Sequence, residues 1–302
     1  MSYAQLINEA VRQKGNPVLV GLDPRRESLP ASFRSGSSVP AAFERFCNEI
    51  IDIAAPLVPA VKPQAAFFEQ YGGEGMLVLQ KIIRYARQKG LIVIFDGKRN
   101  DIGSTAEAYA AGILGEHSAW GADALTVSPY LGGDSIEPFV KTAAARNAGI
   151  YLLVKTSNPG GKMLQDLMTG GKPVYRHVAE YVEQLAAKTG GSVGAVVGAT
   201  WAEQLAELRH VMPSAPLLVP GYGTQGGTAQ DIAPAFHADG TGAVVNNSRG
   251  IIFAYQNEPF RSQFGEARWQ DAVEASVKKM IGELKQVHFR QPAANSRSSC
   301  CE

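Results

Sequence analysis

Only three cysteines occur in the 302 residues, Cys47, Cys300 and Cys301, and none stands in a CxxC spacing. That excludes a disulfide framework and a thiolate metal site, and it fits a reducing cytoplasm. The five histidines, at 117, 177, 210, 237 and 288, are scattered without ligand spacing. No apolar run approaches the roughly 20 residues that span a bilayer. The first ten residues lack a basic segment followed by an apolar one, so no signal peptide is expected. A net charge of +1 gives no pull towards a nucleic acid polymer or an anionic membrane. GxGxxG is missing after the first strand-like run, which argues against a dinucleotide fold.

What the chain does have is apolar residues, 45% of the total, enough for a large core. Strand-like runs alternate with helical patterns eight times. The predicted strands are Val18–Asp23, Leu57–Lys62, Leu91–Lys98, Ala124–Ser128, Ile150–Thr156, Ala195–Ala199, Leu217–Gly221 and Ala243–Asn247. Between them lie helical patterns such as Met76–Lys89 before Gly90, Ser104–Trp120 before Gly121 and Val174–Lys188 before Gly190. Glycine just past a helix end is the expected stop signal. A last amphipathic stretch covers about Gln270–Lys285. Eight such units predict a single-domain α/β protein, a (β/α)8 TIM barrel over 1–287; an open doubly wound sheet is the alternative. Residues 288–302 are polar without apolar period and are expected to form a disordered tail.

One run stands out: Asp96-Gly-Lys98-Arg99-Asn100-Asp101, directly after the apolar Leu91–Phe95. Alternation along a strand would point Ile92, Ile94, Asp96 and Lys98 to one face, so an interior row turns from apolar to charged. Buried charge is costly unless paired, so the row is either a structural salt bridge or an active site. Other strands also end in polar groups: Asp23, Lys62, Ser128, then Thr156 and Ser157. Catalytic groups of barrels gather at this end. Arg99 reads as a rim or interface ion pair, and Trp120, Trp201 and Trp269 read as packing anchors.

A phosphate grip is suggested by Pro220-Gly-Tyr-Gly-Thr-Gln225-Gly-Gly227 after strand seven and Asn246-Asn-Ser-Arg249-Gly250-Ile251 after strand eight. Glycines let backbone N–H groups approach an anion, and Arg249 adds a planar two-pronged donor. The glycine-bearing segment Ser157–Lys172 is either a lid or a surface excursion. The loop Pro24–Pro40, rich in Ser, Pro and Arg, is either a cover for the site mouth or, the favoured reading, a solvated connection.

Asp96-x-Lys98-Arg99-x-Asp101-Ile102-x-x-Thr105 resembles the signature of the orotidine 5'-phosphate decarboxylase family, in the layout of its longer bacterial branch. The resemblance spans roughly residues 16–285. It implies decarboxylation of orotidine 5'-monophosphate to uridine 5'-monophosphate in de novo pyrimidine biosynthesis, without cofactor or metal. By the same resemblance Lys98 would be the proton donor, Asp96 and Asp101 its charge partners, and Lys62 would complete the network. Asp23 and Lys62 would bind ribose hydroxyls, Ser157 the pyrimidine, and Gln225, Arg249 and Gly250 the phosphate. Asp101 and Thr105 would reach the neighbouring subunit's site, which makes a homodimer the expected active form.

Two other readings compete. Magnesium-dependent phosphosugar enzymes, such as the hexulose-phosphate synthase and keto-gulonate-phosphate decarboxylase group, share an Asp-x-Lys-x-x-Asp motif. Lys62 stands where such a metal site would want a carboxylate. A non-catalytic barrel binding a phosphoribosyl ligand would need the phosphate loops but not the alternating charges.

Overall fold

The computed structural model describes residues 1–288 apart from Thr224 and Gln225; Gln225 and the expected tail at 289–302 therefore lie outside the described residues. Eight strands close into a barrel: β1 (Val18–Leu22), β2 (Ala60–Pro63), β3 (Ile92–Arg99), β4 (Ala124–Val127), β5 (Gly149–Lys155), β6 (Val193–Val197), β7 (Leu217–Val219) and β8 (Ala243–Asn247). Each strand pairs in parallel with its neighbours in sequence, and β8 closes on β1 through Val18↔Val245 to Val20↔Asn247. Closure excludes the open-sheet alternative. With helices outside and side chains inside, both faces of every strand are covered, which is why the strands read as almost unbroken apolar runs.

The barrel interior is filled by Leu19, Ala60, Ile92, Ile94, Ala124, Tyr151, Val196, Leu218 and Val244. Its lower mouth is plugged by the first helix, Tyr3–Lys14, which starts at a capping box between Ser2 and Gln5 and ends at left-handed Gly15. Tyr3, Ile7 and Val11, one helix face, pack into the interior, and the Tyr3 hydroxyl donates to the Tyr151 hydroxyl at 3.2 Å. Gly149 makes room: a Cβ there would lie 2.3 Å from the Tyr3 ring. With the N-terminal mouth sealed by apolar packing, only the C-terminal mouth is left to hold chemistry.

Outside the barrel the helices pack their apolar faces on the strands. Phe33, Phe46 and Trp269 meet there with ring centroids 5.2–5.7 Å apart, joining the helix Val39–Ala54 to the final helix Trp269–His288. Each fully buried aromatic contributes about 1.5–3 kcal/mol by leaving water. Among the described residues no helix is long and apolar enough to cross a membrane.

Among the element boundaries that differ from the pattern in the sequence, three have a clear local cause. Strand β2 begins at Ala60 because the Leu57 and Val58 amides both donate to Ala54 O, which extends the preceding turn. The helix expected over Ser104–Trp120 is Gly103–Leu114. Its end is held by Ser118, whose hydroxyl donates to the carbonyls of Gly112 and Ile113 and accepts from Trp120 N and Gly121 N. A side chain that satisfies the backbone this way competes with continued helix. After β7 the sequence pattern predicts a helix over Ala229–Ala238, but the helix covers only Ala229–Ile232 and passes into a 3-10 turn at Ala233–Ala235, where Pro234 lacks the needed N–H. The loop after β1 is not merely a connection: it carries a 3-10 turn at Arg26–Ser28 and a helical turn at Ala31–Arg34.

Candidate active site

Three strands bring the charged network together. Lys62, from β2, is 4% exposed and donates from Nζ to Asp96 Oδ2 at 2.7 Å. Lys98, from β3, donates from Nζ to the other oxygen, Asp96 Oδ1, also at 2.7 Å. The Thr126 hydroxyl on β4 donates to the same Oδ1 at 2.9 Å. Asp96 thus meets an ammonium at each oxygen and a hydroxyl at one of them. Burial alone would raise its pKa, but Lys62 and Lys98 override burial and hold the carboxyl well below the usual carboxylate range. For Lys62, burial pulls the pKa down while Asp96 and Asp23 push it up, and the net direction is up. Both partners of this pair are charged.

Strict alternation along β3 does not survive to Lys98. Register with β4 holds at Phe95↔Leu125 and resumes at Arg99↔Val127, so Asp96, Gly97 and Lys98 stand opposite the single residue Thr126. This bulge turns Lys98 into the left-handed region at φ 44°. Non-glycine residues are uncommon there, and holding one costs of order 1–3 kcal/mol. The side chain is 47% exposed, open towards the mouth while its head stays on Asp96. Arg99, beyond the bulge, is a rim ion pair with Glu69 that also lies over the Phe95 and Tyr109 rings.

Asp23 completes one end of the network. Its Oδ1 is buried with no hydrogen-bond partner, an acceptor waiting for a donor. Asp23, Lys62, Asp96, Asn246 and Arg249 line a cavity of about 110 Å³. A larger cavity, about 870 Å³, adjoins it at Tyr222, Asn247 and Arg249 and carries Gly223, Gly226, Gly227 and Gly250. Gly223 and Gly226 have φ of 72° and 95°, conformations that side-chain-bearing residues avoid, so these turns need glycine. Arg249 is exposed and forms no ion pair among the described residues. A carboxylate-and-ammonium end joined to a glycine-and-arginine end suits an elongated ligand with hydroxyls at one part and an anion at the other.

Ser157 follows β5 and lines neither cavity; its carbonyl accepts from Thr200 Oγ1 at 3.3 Å. Its main chain approaches Gly198 so closely that a Cβ there would lie 2.8 Å from Ser157 Cα. The excursion beyond it is built and tethered. It forms a turn at Pro159–Gly161, a helical turn at Lys162–Gln165 and a two-stranded hairpin, Met168–Thr169 with Lys172–Pro173. Lys155, 1% exposed, pairs with Asp166 and sits between the rings of Tyr175 and Trp201. Gln165 accepts from Thr156 N at 3.1 Å and donates to Thr156 Oγ1 at 2.8 Å, while Trp201 Nε1 donates to Thr156 O. Trp201 is therefore part of this tether as well as a packing anchor.

Asp101 and Thr105 do not join the network of their own chain. Asp101 Oδ1 accepts from its neighbour's amide, Ile102 N, at 2.8 Å, and Thr105 is exposed on the helix Gly103–Leu114. Thr126 and Lys155 were not singled out from the sequence, whereas Asn246 and Asn247, inside the run after strand eight, line the smaller cavity. A signal was present for Thr126, a hydroxyl at the same interior parity as Ala124.

Comparison with known proteins bears on this geometry. The profile of the "Orotidine 5'-phosphate decarboxylase / HUMPS family" matches residues 16–259. A protein from Rhodopirellula baltica named orotidine 5'-phosphate decarboxylase is 55% identical over 300 residues, covering 94% of this chain and 99% of its own. One of the same name from Caldicellulosiruptor saccharolyticus is 40% identical over 279 residues, covering 85% and 91%. Among solved structures, the Leishmania donovani OMP decarboxylase superposes with a TM-score of 0.77 at 33% identity, over 96% of this chain and 99% of its own.

Proposed function

The chain belongs to the orotidine 5'-phosphate decarboxylase / HUMPS family, and on that premise we propose that it converts orotidine 5'-monophosphate to uridine 5'-monophosphate in pyrimidine biosynthesis. The observation that carries the reading is the pair of ammonium groups on one buried carboxylate, Lys62 and Lys98 on Asp96, beside a cavity that Arg249 also lines.

In this reaction the bond from pyrimidine C6 to the carboxylate breaks, carbon dioxide leaves, and the electron pair stays on C6. The Lys98 ammonium faces that developing charge, stabilises it and delivers its proton to C6; the resulting amine regains a proton from water. Asp96 Oδ1 fixes the Lys98 Nζ at 2.7 Å, so the group is in place before the bond breaks and little reorganisation is needed. One unit charge at 4 Å contributes about 4 kcal/mol at an effective dielectric of 20. Rate enhancements commonly require ~8–23 kcal/mol, so further stabilisation is needed. It comes from the phosphate end, where binding of a non-reacting group by Arg249, Gly250 and Gln225 holds the pyrimidine against Lys98. Asp23 and Lys62 take the ribose hydroxyls, for which the unpartnered Asp23 Oδ1 is a ready acceptor. Ser157 contacts the pyrimidine.

The active form we propose is a homodimer in which Asp101 and Thr105 enter the neighbour's site. Asp101 stands at the mouth without an ion pair among the described residues. The segments after β3, β4 and β5 expose Ile102, Tyr109 on the helix Gly103–Leu114, Tyr130, Leu131, Leu167 and Met168. Exposed apolar groups on segments that follow three neighbouring strands suit docking of a second copy. Cys47 is a free, buried thiol, in keeping with a reducing cytoplasm as the place of action.

A magnesium-dependent phosphosugar reaction would need Asp96 oxygens for the cation, and both already accept from ammonium groups. The test is an ultraviolet assay following loss of orotidine 5'-monophosphate in excess chelator. Full turnover is expected; activity abolished by chelator and restored by magnesium would overturn the reading.

A further inference from the structure

Thr126 is 1% exposed and stands alone opposite the three-residue bulge of β3. Its hydroxyl oxygen accepts from the main-chain N–H of Lys98 at 2.9 Å and its proton goes to Asp96 Oδ1 at 2.9 Å. The acceptor of that proton is the same oxygen that receives Lys98 Nζ. One side chain therefore grips both ends of Lys98, its backbone directly and its ammonium through the shared carboxylate oxygen. A hydroxyl can accept and donate at once, which no aliphatic side chain of this shape can do.

We propose that Thr126 is a positioning residue for the decarboxylation: it holds Lys98 in its left-handed backbone conformation and so aims the ammonium at the reacting carbon. Gly97, before Lys98, gives the bulge room, with a Cβ there falling 2.6 Å from the Phe95 ring. It cannot fix the direction of Lys98. The left-handed turn is intrinsically unfavourable for lysine, so it persists only where the surroundings over-determine it. Thr126 supplies that determination. Without the hydroxyl, the Lys98 N–H loses its buried partner and the backbone relaxes towards the extended region. The direction of the Lys98 Cα–Cβ bond then swings away from Asp96. Lys62 is untouched, because it uses the opposite oxygen, so nucleotide binding by Asp23, Lys62 and Arg249 remains.

The inference rests on Lys98 being the proton donor, and Lys98→Ala, assayed alongside, separates failure of that reading from failure of this one. The experiment compares Thr126→Val, which keeps the β-branched shape, with Thr126→Ser, which keeps the hydroxyl. Active sites are titrated with uridine 5'-monophosphate by calorimetry, so that kcat is expressed per competent site. Losing hydrogen bonds of a charged network predicts a kcat lower by about 10- to 100-fold for Thr126→Val, with KM within about twofold of the parent. Thr126→Ser should recover kcat to within about threefold. Should the valine variant not fold, Thr126→Cys, with a weaker donor and acceptor of similar volume, replaces it and should fall between the two. An unchanged kcat per site in the valine variant, a loss confined to KM, or a loss that serine does not rescue would overturn the proposal.

Discussion

Lys62 and Asp96, from adjacent strands, form an ion pair of 2.7 Å with side chains 5% and 8% exposed. Neither charge has water to fall back on. Removing one partner of such a pair costs about 3–5 kcal/mol, while replacing both by apolar residues is often neutral. Asp96→Ala should therefore lower the thermal midpoint markedly and abolish turnover. The double variant Lys62→Met/Asp96→Leu should regain most of the stability and none of the activity. Calorimetric melts check this, and a double variant as unstable as the single one would show that the pair's role is structural.

The same pair sets a pH window. Asp96 has a lowered folded-state pKa, so its contribution is complete above the ordinary carboxyl value, about 3.9, and is lost as pH falls through the lowered value. Lys62 has a raised one, so its contribution is complete below about 10.4 and is lost as pH rises through the raised value. Melting temperatures of the parent minus those of Lys62→Met/Asp96→Leu should be flat from about pH 5 to 9. A step in that difference near neutrality would contradict the charge assignment.

Subunit exchange reads the dimer. Asp101→Ala and Lys98→Ala should each be inactive, since one lacks the trans carboxylate and the other the proton donor. Random mixing places both defects in one site of each heterodimer and leaves the other intact, restoring about a quarter of normal sites. No recovery, with exchange shown by native mass spectrometry, would put Asp101 in its own site.

The tether at Lys155 predicts a different phenotype. Lys155→Met keeps an unbranched side chain between Tyr175 and Trp201 but frees Asp166. Limited proteolysis within residues 157–172 should accelerate, because local opening governs cleavage. KM for the nucleotide should rise about 3- to 10-fold as Ser157 loses its support. Unchanged proteolysis would mean that Gln165 and Trp201 hold the excursion unaided.

Much of this was legible in the chain because barrel strands are covered on both faces and so write long apolar runs, each closed by a polar residue. Asp23, Lys62 and Asp96 could be placed at one mouth by that rule alone. The β3 bulge could not. Period-two alternation aims Lys98 correctly by coincidence, whereas its orientation comes from a left-handed turn opposite Thr126. Helix ends were misread where a side chain, such as Ser118, competes for backbone groups beyond the periodic pattern. Lys155 was hidden because a lysine at a strand end looks solvent-exposed, and only the fold shows it enclosed by two rings and a carboxylate. Asp101 is the opposite case: its position is visible, but within its own chain the side chain accepts only from Ile102 N, and the partner proposed for it is a second copy.

The central claim is that Lys98 performs the chemistry while other groups bind the substrate. Carbon dioxide release from orotidine 5'-monophosphate by Lys98→Ala, with uridine 5'-monophosphate binding measured on the same preparation, tests it most directly. The account predicts no detectable release above the uncatalysed reaction with nucleotide binding still measurable. Release at the parent rate would contradict it.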